Sequence, residues 1–153
     1  MSRWLLKTEP SEFSIEDLAA RGEEAWTGVR NYQARNFLRS MRPGDLALIY
    51  HSSCARPAVV GIGRVQSEAF PDPTQFDPES PYFDPRSRPE APRWYAVNIA
   101  FERRTERPIA LAAIKAQPAL AADFPLTRRG NRLSVMPVTE AQWRAILALE
   151  RVR

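Results

Sequence analysis

One cysteine, one histidine and two lysines among 153 residues leave several chemistries without their raw materials. With Cys54 alone, no intrachain disulfide and no thiolate zinc site can form. With His51 alone, most metal clusters and any histidine pair are excluded, and no cofactor is implied. No apolar run approaches the ~20 residues that a membrane span needs. The opening Met1-Ser2-Arg3-Trp4-Leu5-Leu6-Lys7 meets charge, then Glu9-Pro10, before a signal-type apolar region develops. The expected location is the cytoplasm, or the nucleus for a eukaryotic source, with no membrane partner. The chain also lacks a Gly-x-Ser-x-Gly elbow and a glycine-rich phosphate loop. His51 and Cys54 lie three residues apart, but a nucleophilic pair needs convergence in space and a third group to orient the imidazole. Catalysis through His51 or Cys54 on a base or small amide is therefore an alternative, and the expectation is a protein that is not an enzyme.

What is present suits one domain over 1–153. A hydrophobic content of 44% is enough for a single core, and 26% charged residues place the chain outside the disordered class. The formal charge of +4 favours a polyanionic partner. Arginine supplies nearly all of the positive charge, which suits phosphate binding by planar forks and equally reflects GC-rich codons.

Arg3 to Thr8 reads as a first strand. Ser14 and Asp17 form a capping box for a helix through Ala20 that Gly22 closes. Glu24 to Arg30 reads as a loop. Ala34, Phe37, Leu38 and Met41 then make one helical stripe, stopped at Pro43-Gly44. Leu46–Tyr50 and 58–66 read as strands, and Gly61 and Gly63 inside the second suggest bulges or close backbone approach. Half of the 14 prolines fall between Pro71 and Pro92, so that stretch is expected to run over the surface. Trp94–Arg103 alternates as a strand. A short helix after Pro108 ends near Gln117-Pro118, Arg132–Val138 forms a last strand, and Thr139 with Gln142 caps a terminal helix. The sum is α+β, a strongly curved, barrel-like sheet of five or six strands flanked by short helices.

Three segments carry recognition-type side chains. Trp26 through Asn36 interleaves aromatics, amides and arginines ahead of a helix start. Trp26 and Tyr32 offer stacking faces, and Asn31 and Gln33 offer donors and acceptors for a base edge. The same residues suit structural roles, Trp26 as a core anchor and Asn31 as a helix cap. Tyr50 and His51 end an apolar strand where a pocket can open. Ser134, a candidate polar group of a pocket, follows the arginines 128, 129 and 132, which suit phosphates and equally suit a solvated charge run before a buried strand.

At these segments the chain resembles the EVE domain family, which includes the thymocyte nuclear protein type. The resemblance rests on Trp4-Leu5-Leu6-Lys7-Thr8-Glu9-Pro10, the Trp26 to Asn36 stretch, Gly44-Asp45 before Tyr50-His51-Ser52, and Arg132-Leu133-Ser134-Val135. It implies a PUA-like fold, related to YTH and ASCH domains, that holds one extruded base in an aromatic pocket. It further implies recognition of modified bases in nucleic acid, chiefly modified cytosine in DNA, with RNA as the alternative. Carried onto this chain, the expected base pocket is Trp26, Asn31, Tyr32, Tyr50, His51 and Ser134, with Arg30, Arg35 and Arg132 near phosphates.

Overall fold

The computed structural model describes residues 1–121 and 123–151. In chain order the elements are β1 (Arg3–Thr8), α1 (Ile15–Arg21), β2 (Glu23–Ala25), α2 (Tyr32–Ser40), β3 (Leu46–His51), β4 (Ala58–Val65), β5 (Phe70–Pro71), β6 (Tyr95–Ala96), β7 (Asn98–Ala110), α3 (Leu111–Lys115), α4 (Pro118–Ala121), β8 (Val135–Val138) and α5 (Glu140–Ala148). Six strands form one sheet in the order β2-β7-β4-β3-β1-β8, and β5 pairs with β6 apart from it. Only β1 and β3 run parallel. The two end strands are not hydrogen-bonded to each other, so the curled sheet is a half-barrel and not a closed one.

Alternation along the central strands assigns each side chain to one of two cores. Trp4, Leu6, Ala47 and Ile49 pack with Leu18, Trp26 and Leu38 beneath α1 and α2. Leu5, Leu48 and Tyr50 face the other way, with Phe124, Trp143 and Ile146 beneath α3 to α5. This is the period of two expected for strands covered on both faces.

Curvature has a local cause in β4. Its pairing slips between Val59 and Gly61 against β7, and again between Ile62 and Gly63. A Cβ on Gly61 would lie 2.5 Å from Ile15 Cδ1 and 2.9 Å from the Arg103 carbonyl oxygen. On Gly63 it would lie 2.5 Å from Ile99 Cγ2. Only glycine permits that approach, and bulges bend strands.

Both capping boxes form, Ser14 with Asp17 and Thr139 with Gln142. Three boundaries differ from sequence expectation. Glu23–Ala25, of which Glu24 and Ala25 are read as loop, pairs with Asn98–Ala100. The strand expected to end at Arg103 continues to Ala110, and Pro108 is accommodated where Gly61 pairs with Arg104 but Val59 with Ile109. The proline-rich stretch is knitted inward, with Asp72 and Gln75 fully buried. Gln75 Nε2 donates to the carbonyls of Asp72 and Trp94, and its Oε1 accepts from the Trp94 amide.

Candidate functional site

A cleft of about 530 Å³ opens where the two end strands of the half-barrel face each other. Glu24 and Ala25 of β2 lie on one side, and Arg132 and Ser134, just ahead of β8, on the other. The β1 end contributes Lys7 and Thr8, and Ser52 and Ser53 follow β3. Backbone bonds fix this junction: the Lys7 amide donates to Ser134 O at 2.8 Å and the Ser52 amide to Thr8 O at 3.0 Å. The following turn is closed by the Thr8 hydroxyl, which donates to Phe13 O at 2.6 Å, and by the Phe13 amide on Glu9 O.

Trp26 anchors the floor. It is 7% exposed, borders the cleft, and meets Phe13 edge-on with ring centroids 5.9 Å apart. The opposite wall comes from the proline-rich stretch. Tyr82 lies so close to Gly28 that an added Cβ there would be 2.9 Å from its ring, and Gly28 has φ +85°. The Tyr82 hydroxyl donates to Glu12 at 3.2 Å. Burial first, then the Glu12 hydrogen bond and the Glu12 and Glu9 charges, holds its pKa above the ordinary phenol value.

Asp72 holds that wall in place. Its carboxylate accepts from the Gly28 amide at 2.8 Å, Arg30 Nη1 at 3.0 Å, and the Thr74 amide and hydroxyl at 2.8 and 2.6 Å. Four donors on one buried carboxylate compensate its lost hydration.

Of the residues expected at the site, Trp26, Ser134 and Arg132 line the cleft and the others do not. Asn31 caps α2, accepting from the Ala34 amide. Tyr32 is 52% exposed and stacks on Trp94, centroids 4.7 Å apart. Tyr50 is buried in the opposite core because it falls on the other face of β3, and its pKa is pushed up to about 12 by burial, with Cys54 adding to it. His51 Nε2 accepts from the Ile15 amide at 3.0 Å, which ties it to the start of α1. Arg30 is taken up by Asp72 and the Tyr82 carbonyl, and Arg35 by Arg93 O and Asn36. Sequence reasoning missed Tyr82 as a wall residue, and it left Lys7 and Glu9 as mere members of a motif. Among the described residues no group of His, Cys, Asp and Glu side chains is placed to hold a metal ion. No helix among them is long and apolar enough to cross a membrane.

A curled half-barrel, helices over both faces and a base-sized cleft at its mouth define a PUA-like module. The EVE domain model matches residues 2–149, and the chain belongs to the EVE domain family. It is 45% identical to thymocyte nuclear protein 1 of Gallus gallus, over 96% of this chain and 68% of that protein. A solved protein from Pseudomonas syringae is 50% identical, with TM-score 0.94 over 97% of this chain and 99% of that one. Human THYN1 protein, solved in complex with 5-methylcytosine-containing DNA, is 40% identical, with TM-score 0.91 over 100% and 99% of the two chains.

Proposed function

We propose that this chain is a DNA-binding module that selects modified cytosine by drawing the base into the Trp26 cleft, with no bond made or broken. The observation that carries the reading is the cleft itself. It combines the indole of Trp26, a base-sized volume and two charged residues, Lys7 and Glu9, whose side chains have no hydrogen-bond or ion-pair partner among the described residues. The complex of the human relative with 5-methylcytosine-containing DNA supports the choice of ligand.

Energetically, stacking on one aromatic contributes ~1–3 kcal/mol per base. Extruding a base costs a few kcal/mol. Phosphate contacts have to supply the margin, so affinity falls with salt. Arg132 suits that role because it is exposed on the rim, with no acidic partner among the described residues. A pocket fitted around a methyl group discriminates by ~1–3 kcal/mol. The catalytic alternative lacks an assembled pair: the only histidine spends its lone pair on the Ile15 amide.

The test is binding of matched oligonucleotides bearing cytosine, 5-methylcytosine or 5-hydroxymethylcytosine, as DNA and RNA, at two salt concentrations. The expected result is modification-dependent DNA affinity that weakens as salt rises. Equal, feeble binding to every probe contradicts the reading. Binding lost on removal of 2′-hydroxyls moves it to RNA.

A further inference from the structure

We infer that Glu9 and Lys7 read the amino-bearing edge of the bound cytosine and thereby exclude thymine. This rests on the function proposed above and adds a demand which that reading leaves unmet. A cleft that welcomes a methyl group at pyrimidine position 5 also faces thymine, which carries the same methyl. Stacking and methyl contact cannot separate the two bases. Only the edge can: cytosine presents the N4 amino donor beside the N3 acceptor, whereas thymine presents the O4 acceptor beside an N3–H donor.

Six charged residues line the cleft: Lys7, Glu9, Glu12, Arg21, Glu24 and Arg132. Arg21 and Glu24 form an ion pair, and Glu12 accepts from the Tyr82 hydroxyl. Arg132 sits exposed at the rim. Lys7 and Glu9 remain. Both are half-buried, they stand two residues apart at the end of β1, and among the described residues neither side chain has a hydrogen-bond or ion-pair partner. Burial lowers the Lys7 pKa, because partial loss of hydration disfavours the ammonium. The Glu9 charge reaches the Tyr82 hydroxyl across the cleft.

A half-buried cation and anion in one cleft, without partners among the described residues, are costly unless a ligand serves both. The cytosine edge does so: its amino group donates to the Glu9 carboxylate, and its N3–O2 side accepts from the Lys7 ammonium. Thymine would set O4 against the carboxylate, two acceptors with no proton between them.

The experiment compares duplexes carrying a single mispaired 5-methylcytosine or thymine, bound to the unaltered chain, Glu9→Gln and Lys7→Met, with thermal unfolding of each as a control for folding. The unaltered chain should favour 5-methylcytosine over thymine by roughly ten-fold or more, the size of one well-made base-edge contact. Glu9→Gln should bring that ratio close to one, because an amide presents either a donor or an acceptor. Lys7→Met should weaken 5-methylcytosine binding. A ratio unchanged in Glu9→Gln, or an unaltered chain that binds thymine equally well, overturns the inference and leaves the reader function standing. Equal, feeble binding of the unaltered chain to both duplexes overturns the inference and the reader function together. Lys7→Met weakening every probe equally and flattening the salt dependence makes Lys7 a phosphate contact and overturns its assigned role.

Discussion

The segment Arg30–Asn36 and the cleft floor draw on the same kinds of side chain, yet their polar groups end in different states. In the segment, Arg30 is locked to Asp72 and the Tyr82 carbonyl, Asn31 caps its own helix, and Arg35 is held by Arg93 and Asn36. Even the exposed Tyr32 ring is covered on one face by Trp94 and approached by the Arg35 guanidinium at 4.9 Å. In the cleft, Lys7, Glu9 and the rim Arg132 have no acidic or basic partner among the described residues. A residue type suited to recognition is free to recognise only where the fold leaves it unsatisfied. The arginine-asparagine-tyrosine motif is spent on the scaffold that holds the wall, and the residues around Trp26 border the cleft.

The largest effect expected from this division is on folding. Asp72→Ala would strand the Arg30 guanidinium and the Gly28 amide, and removing one member of a buried ion pair costs ~3–5 kcal/mol. Urea denaturation should register a loss of that size. A loss under about 1 kcal/mol, the range of an exposed pair, would mean that Arg30 is not committed to the scaffold.

A smaller effect concerns His51, another recognition-type residue spent on structure. Burial lowers its pKa below the ordinary imidazole range, with the Glu16 charge opposing. The unfolded chain therefore takes up this proton at higher pH than the folded one. Stability from neutral His51 is complete above about pH 6.5 and declines as pH falls below it. Protonation also removes the lone pair that accepts from the Ile15 amide. Urea midpoints between pH 7.5 and 5 should fall more for the unaltered chain than for His51→Gln. Parallel curves would contradict the assignment.

Much of the scaffold was legible because its signals are local. Both capping boxes span three residues, and Gly61 and Gly63 announced close approach from within a strand. The β2 strand was hidden because Glu23-Glu24-Ala25 has neither alternation nor bulk; its partner strand, β7, defines it. The run Glu102–Arg107 conceals the second half of β7 in the same way, since charge there reads as loop. The site was less legible than the fold. Tyr50 and His51 sit one residue apart on β3, and a single-residue change of face puts the Tyr50 ring in the wrong core. Tyr82 and Asp72 act on Gly28 from more than 40 residues away, and no local pattern encodes that distance. Whether an arginine is free or spent depends on such partners: the resemblance placed Arg30 and Arg35 near phosphates, and in the structure both guanidinium groups donate to acceptors of the protein itself.

The most direct test of the division between wall and ligand-facing residues sets Trp26→Ala beside Tyr32→Ala in binding to one 5-methylcytosine duplex. Loss of a stacking face is worth ~1–3 kcal/mol, so Trp26→Ala should weaken binding by about ten-fold or more, while Tyr32→Ala should bind nearly as the unaltered chain does. Affinity that survives Trp26→Ala and collapses in Tyr32→Ala would place the base on the α2 surface and contradict the account.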